Sequence, residues 1–306
     1  MTTNALGLPE PFVNAVSRRH EYVSGRYSVT DVLGGTCEAI LKRRHSGDVE
    51  EDVSDQVWAL LGTAVHRVLQ DAEATDTQLQ ENWLSAPIPG CDGYSLSGIF
   101  DLYDDSTGTV TDYKTTSVYT VMFGDFEKWR MQTLLYCWLL RQNGFDAHRG
   151  EIVAILRDHS QRKARTERDY PRHPVFTIGW DFTEEDIDGA TGYLVSWFTE
   201  LMSQELVGDD RLEPCPDDKR WHKPDKWAVM RVGKKKAIRL FDTEDDADEY
   251  MEQLTDRHGA CYRMEHRPGE DTRCDSYCSV ADFCPYVHRL RDATGNADEN
   301  PLSLAT

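Results

Sequence analysis

A chain of 306 residues with 39% hydrophobic and 10% aromatic content can bury a substantial core, which excludes a disordered polypeptide. Its formal charge of −20 excludes a protein that coats nucleic acid by general attraction, although a metal site and a local basic groove can oppose that field. No apolar run approaches a bilayer span and the first residues lack a secretory layout, so no membrane partner and a cytoplasmic location are expected.

In chain order, residues 1 to about 26 read as a loosely ordered lead-in. The segment SVTDVLGGTCEAILKRRH (28–45) predicts one short helix capped by Ser28 or Thr30. VSDQVWALLGTAVHRVLQDAEA (53–74) predicts a longer helix capped by Ser54, with Val57, Leu61, Ala64, Val65, Val68 and Leu69 as a core-facing stripe. Two short strands follow, around Asp101 and Asp112. FEKWRMQTLLYCWLLRQNGF (126–145) predicts a helix with Met131, Leu134, Leu135 and Trp138 inward, closed by Asn143-Gly144. A strand over 150–158 and an acidic-capped helix over 183–206 complete this half. Beyond it, 226–242 predicts a hairpin turning at Gly233 with Lys234, Lys235 and Lys236 beside the turn, and 243–259 a capped acidic helix. The stretch 292–306 has the composition of a disordered tail.

Asp101 and Asp112 stand at a separation that two adjacent strands and a turn require, so both carboxylates can face one point near a sheet edge. Carboxylate oxygens are natural ligands of Mg²⁺ or Mn²⁺. Lys114 lies two residues beyond Asp112 and shares its face, where an ammonium can position a water and offset phosphate charge. Read alone, the triplet is more often a solvated hairpin with a cross-strand Asp–Lys pair, and its neighbours in the chain shift the reading towards a site. His66 is a candidate third ligand, one turn after Gly62, though a histidine read alone is more often a partly buried side chain making one hydrogen bond. Gln132 and Tyr136 are four apart on one side of their helix, able to reach a phosphate or orient Lys114.

Eight cysteines occur at 37, 91, 137, 215, 261, 274, 278 and 284, and Cys137, set in YCWLL, reads as core. Cys274, Cys278 and Cys284 form a C-x3-C-x5-C cluster that can cap one face of a metal or cluster, with a fourth ligand from elsewhere. Both Zn²⁺ and an iron–sulfur cluster accept such a set.

Taken in order, GTAVH, SGIFD, TDYKT and the Gln-x-x-x-Tyr helix resemble the motifs of the RecB-like branch of the PD-(D/E)XK nucleases, over about 28–157, with the cysteines extending the likeness to about 285. The resemblance implies an α/β fold, a restriction-endonuclease-like core with a central mixed β-sheet flanked by helices, plus a C-terminal iron–sulfur cysteine segment. It implies metal-dependent DNA cleavage with His66, Asp101, Asp112 and the Tyr113 carbonyl as ligands, Lys114 as catalytic lysine, and Gln132 and Tyr136 in support. It also implies a 4Fe–4S cluster on Cys37, Cys274, Cys278 and Cys284, with Zn²⁺ as the alternative and Cys215 as the rival fourth ligand. Asp101 lacks a preceding proline, as RecB-like members commonly do. The expected organisation is a lead-in (1–27), nuclease core (28–208), inserted hairpin–helix region (209–267), cysteine segment closing on the N-terminal helix (268–291) and tail (292–306). The insert resembles those of phage-encoded members, which implies host cytoplasm as the setting. The expected function is an exonuclease on single-stranded DNA or DNA ends, with a helicase or recombination partner unidentified. A zinc-stapled structure-specific endonuclease and a non-catalytic DNA-binding or recombination adaptor are the alternatives.

Overall fold

The computed structural model describes residues 2–17, 21–258 and 261–294. The chain forms two compact units, residues 1–212 and 213–306. Among the described residues, no helix is long and apolar enough to cross a membrane.

The first unit is built on a six-stranded mixed sheet of β1 (Arg26–Ser28), β2 (Gln78–Pro87), β3 (Ser95–Asp104), β4 (Thr109–Thr116), β5 (Arg149–Leu156) and β6 (Val175–Asp181). β3 pairs with β2 along one edge. Its other edge is shared, with β1 parallel to Ser95–Ser97 and β4 antiparallel to Leu102–Asp104. The intervening stretch, which includes Asp101, lies at a fork where two neighbours diverge. β4 then runs parallel to β5, and β5 antiparallel to β6.

Helices flank this sheet: α1 (Thr36–Arg44), α2 (Val57–Gln70), α3 (Val118–Phe123), α4 (Glu127–Gln142) and α5 (Glu184–Glu205). The central one is α4, buried at every position from Gln132 to Leu140, which a narrow stripe of core residues would not require. Cys137 is part of that core, as expected, and its burial pushes the thiol up. The sheet admits α4 closely because it presents glycines beneath it. A Cβ on Gly150 would come within 2.3 Å of Thr133 Oγ1, and one on Gly98 within 2.8 Å of Tyr136 Cε1. Gly150→Ala is therefore expected to lower stability by about 1–3 kcal/mol through overpacking, read as a fall in the denaturation midpoint. α5 begins at a capping box made by Thr183 and Asp186, the acidic start predicted for it.

Several expectations are corrected. The segment 28–45 is not one helix: it comprises the end of β1, a helical turn (Val29–Val32) capped by Ser28, and α1, broken at Gly34-Gly35. The apolar stripe of α2 is not core, for no residue of that helix is buried, and Val68 is 71% exposed. The helix lies over the sheet at one side only, so its period reports amphipathicity without full coverage. Ser54 does not cap it: Asp52 accepts from Ser54 N at the head of a short 3-10 turn. The lead-in is ordered where described, with a helix at Glu10–Val16 and Thr2–Thr3 paired to Glu51–Asp52.

The second unit has a three-stranded antiparallel sheet of β7 (Lys226–Arg231), β8 (Ala237–Phe241) and β9 (Tyr262–Arg267), with β7 central. The predicted hairpin and its Gly233 turn, at φ +81°, are present. The acidic helix α6 (Glu244–His258) follows Thr243, whose hydroxyl accepts from Asp246 N. A last helix, α7 (Pro285–Thr294), extends into the segment expected to be a disordered tail, because Val287 finds a buried position. The remainder of that expected tail, 295–306, lies outside the described residues.

Candidate active site

The fork between β1 and β4 carries two adjacent hydrogen-bonded groups. In the first, His66 reaches from α2 so that Nδ1 lies 3.0 Å from Asp101 Oδ1 and 3.9 Å from Glu81 Oε1. Its Nε2 faces the Tyr113 carbonyl at 3.1 Å, and Tyr113 N–H donates to Asp101 Oδ2 at 2.6 Å. Both ring nitrogens thus face oxygen acceptors, so each can donate when protonated, and a bound cation would take the place of one of those protons. The hydrogen bond to Asp101 raises the His66 pKa against the opposing effect of burial.

In the second group, Asp112, Lys114 and Gln132 close a ring. Lys114 Nζ lies 2.6 Å from Asp112 Oδ2 and donates to Gln132 Oε1 at 3.0 Å, while Gln132 Nε2 donates to Asp112 Oδ1 at 2.9 Å. Asp112 is 4% exposed, and burial pushes its carboxyl up while the Lys114 ammonium pulls it down. Tyr136 stands one turn beyond Gln132, also buried, and burial followed by the Asp112 charge holds its hydroxyl well above the usual range.

The structure therefore brings His66, Asp101 and the Tyr113 backbone together, and Asp112, Lys114 and Gln132 beside them. Sequence reasoning missed Glu81. Donor atoms of His66, Glu81 and Asp101 all lie within 4.8 Å of one another. Glu81 stands across from Asp101 in the β2–β3 ladder, between the pairs Gln80↔Leu102 and Asn82↔Phe100. Its backbone is left-handed, with φ 50°, which costs a non-glycine residue roughly 1–2 kcal/mol. Burial, then the neighbouring Asp101 charge, raises its pKa. A signal was present: PGCDG between QLQENWLSA and SLSGIFD reads as a hairpin turn that would set Glu81 opposite Asp101. Beside Lys114 and Gln132 a cavity of about 310 Å³ opens, lined also by Thr30, Leu33, Lys128 and Trp129.

In the second unit, Cys274, Cys278 and Cys284 share a neighbourhood with Cys215. The Cys274 thiol is pushed up to about 12, first by burial and then by nearby groups that include those three thiols. Cys37 is buried in α1 of the first unit.

A histidine and acidic side chains gathered at a sheet fork beside a lysine define a class of site, one whose donor atoms could hold a divalent cation. Residues 79–285 match the PD-(D/E)XK nuclease superfamily, and the chain belongs to that superfamily. No curated protein matches it significantly. Among solved structures, SSO0001 is similar at TM-score 0.44 and 16% identity, covering 60% of this chain and 84% of its own. An alkaline exonuclease (LHK-Exo) from Laribacter hongkongensis is similar at TM-score 0.38 and 12% identity, covering 65% and 95%. A phage related exonuclease from Haemophilus somnus 129PT gives TM-score 0.26 and 13% identity, covering 55% and 74%. These likenesses are distant, and membership rests on the superfamily match.

Proposed function

We propose that this protein is a Mg²⁺- or Mn²⁺-dependent deoxyribonuclease acting exonucleolytically on single-stranded DNA or DNA ends. The observation that carries the reading is the closed Asp112–Lys114–Gln132 ring beside the donor cluster of His66, Glu81 and Asp101. The donor set suits a hard divalent cation, being mostly carboxylate oxygen with one imidazole, and the buried Asp112 carboxylate supplies further negative charge. His66, Glu81, Asp101, Asp112 and the Tyr113 carbonyl would hold the ion. When bound, it polarises a phosphate oxygen and lowers the pKa of water.

The remaining work falls to side chains. Asp112 holds the Lys114 ammonium by an ion pair and Gln132 by a hydrogen bond, and together they fix its direction. From there Lys114 orients the attacking water and offsets charge building on the phosphate. Gln132 sets the ring's geometry from the rigid helix α4, and Tyr136 packs beneath it against Gly98.

The proposal includes a 4Fe–4S cluster on Cys274, Cys278 and Cys284, with Cys37 as the fourth ligand that the RecB-like resemblance implies. The hairpin insert supports a phage or mobile-element source and action in the host cytoplasm. Anaerobically purified protein is expected to be brown, absorbing near roughly 400 nm. Cys37→Ser should lose iron while Cys215→Ser retains it; the reverse result would transfer the role to Cys215, and colourless protein with stoichiometric zinc would overturn the cluster.

Nuclease activity is tested on 5′- and 3′-labelled single-stranded and blunt duplex DNA with Mn²⁺, against Asp112→Asn and against EDTA. Metal-dependent release of short products by the wild type alone is expected, and the label position reports polarity. Internal cuts at structured junctions would favour an endonuclease, and no cleavage under any divalent metal would favour the adaptor.

A further inference from the structure

The helix α3 follows Lys114 on the chain closely enough that Val118 lies within about 14 Å of it even if fully extended. Its inward face is accounted for: Val118 is buried in a cluster with Leu156, Ala164 and Tyr170, and Val121 and Met122 pack on the same cluster. Its outward face is aromatic. Tyr119 is 70% exposed and Phe123 66% exposed, one turn apart, with ring centroids 4.8 Å from each other. Burial does not explain this pair, since the core needs only the other face.

The neighbouring segment explains what such rings can serve. β5 ends beside β4, pairing Leu156 with Thr116, so the chain leaving β5 runs alongside the start of α3. Val118 N–H donates to Asp158 Oδ1 and Arg157 N–H to the Thr116 carbonyl. Residues 157–174 carry six lysines and arginines against three acids, in a chain whose formal charge is −20. Within this segment Arg165 and Arg172, with His159 and His173, line a cavity of about 540 Å³. Arg157 stacks over Trp58 of α2, 4.3 Å from the ring, and Trp58 is itself 61% exposed.

A basic groove next to exposed aromatic rings is the chemistry that holds unpaired nucleic acid, with phosphates on the cations and bases on the rings. We propose that Tyr119 and Phe123, together with the 157–174 segment, form a track that holds single-stranded DNA and leads it to Lys114. Two bases stack on the aromatic pair while Arg165 and its neighbours follow the backbone. This inference rests on the nuclease reading above and gives it a substrate form: paired bases have no free face for the rings.

The test reads binding, not cleavage. Fluorescence anisotropy of the full chain in EDTA compares an oligothymidylate with an abasic strand of equal length, which has the phosphates and lacks the bases. Wild type should bind the oligothymidylate on the order of tenfold or more tightly, since each stacked base is worth at least several-fold. The double variant Tyr119→Ala, Phe123→Ala, checked to melt with wild type, should lose that preference. Arg165→Glu should weaken both strands alike and flatten the dependence on salt. Equal affinity of wild type for the two strands, a preference surviving in the double variant, or binding to neither strand would each overturn the track. Because no metal is present, a failed cleavage assay would strike the nuclease reading and leave this result readable by itself.

Discussion

Asparagine in place of Asp112 is expected to lower DNA cleavage by roughly 10²–10³-fold or more, the scale seen when one charge-stabilising group is removed. Its metal-free melting temperature should stay close to wild type. The two halves of this prediction have one cause. Asp112 is 4% exposed, and burial raises its pKa, so holding it ionised costs the fold. With a folded pKa above the unfolded one, its contribution to stability is greatest below the unfolded value and is lost as pH rises through the folded value. The amide removes that loss while keeping the shape. It can still accept from Gln132, but it no longer neutralises Lys114, whose ammonium is then held by Gln132 alone. A melting curve against pH in EDTA, set beside a cleavage assay, checks both halves. A variant that unfolds would show that Asp112 serves the fold and not the chemistry.

The second large effect is metal-linked stability. At a hundredfold excess over its Kd, a cation bound only to the native state adds about 2.7 kcal/mol. For a unit of this size that corresponds to a rise of roughly 5–10 °C in melting temperature. Mn²⁺ should produce such a rise in wild type, and Asp101→Asn should abolish it, because Asp101 lies against both His66 and the Tyr113 amide. Glu81→Gly is the more telling variant. Glycine adopts the left-handed backbone of residue 81 without strain, so metal-free stability should hold or rise by up to about 1 kcal/mol, while the Mn²⁺ shift shrinks. A full Mn²⁺ shift in Glu81→Gly would remove Glu81 from the ligand set.

Much of this site was legible because its parts are local. Asp112, Tyr113 and Lys114 belong to one strand, and Gln132 and Tyr136 to one helix, so strand and helix periods relate them without knowledge of the fold. Glu81 was less legible. It lies on a strand not expected from the sequence, and its closeness to Asp101 depends on β2 and β3 keeping the same register on either side of residue 81. The strands β1, β6 and β9 were likewise missed, being short or only weakly alternating. α2 shows the opposite error: its apolar period is real, but period says which residues share a face and nothing about what covers that face.

The sequence by itself determined the α/β class, the main helices of the first unit, the hairpin at Gly233 and the types of residue available for chemistry. Those follow from hydrophobic period, caps and turn residues, which act over a few positions. Only the tertiary structure decided that β1 and β4 diverge along one edge of β3, opening the fork that leaves Asp101 free to meet His66. It also decided that glycines at 98 and 150 let α4 settle onto the sheet, which brings Gln132 within reach of both Asp112 and Lys114. Contacts between residues far apart in sequence depend on register and packing distance, and neither is encoded in any one segment.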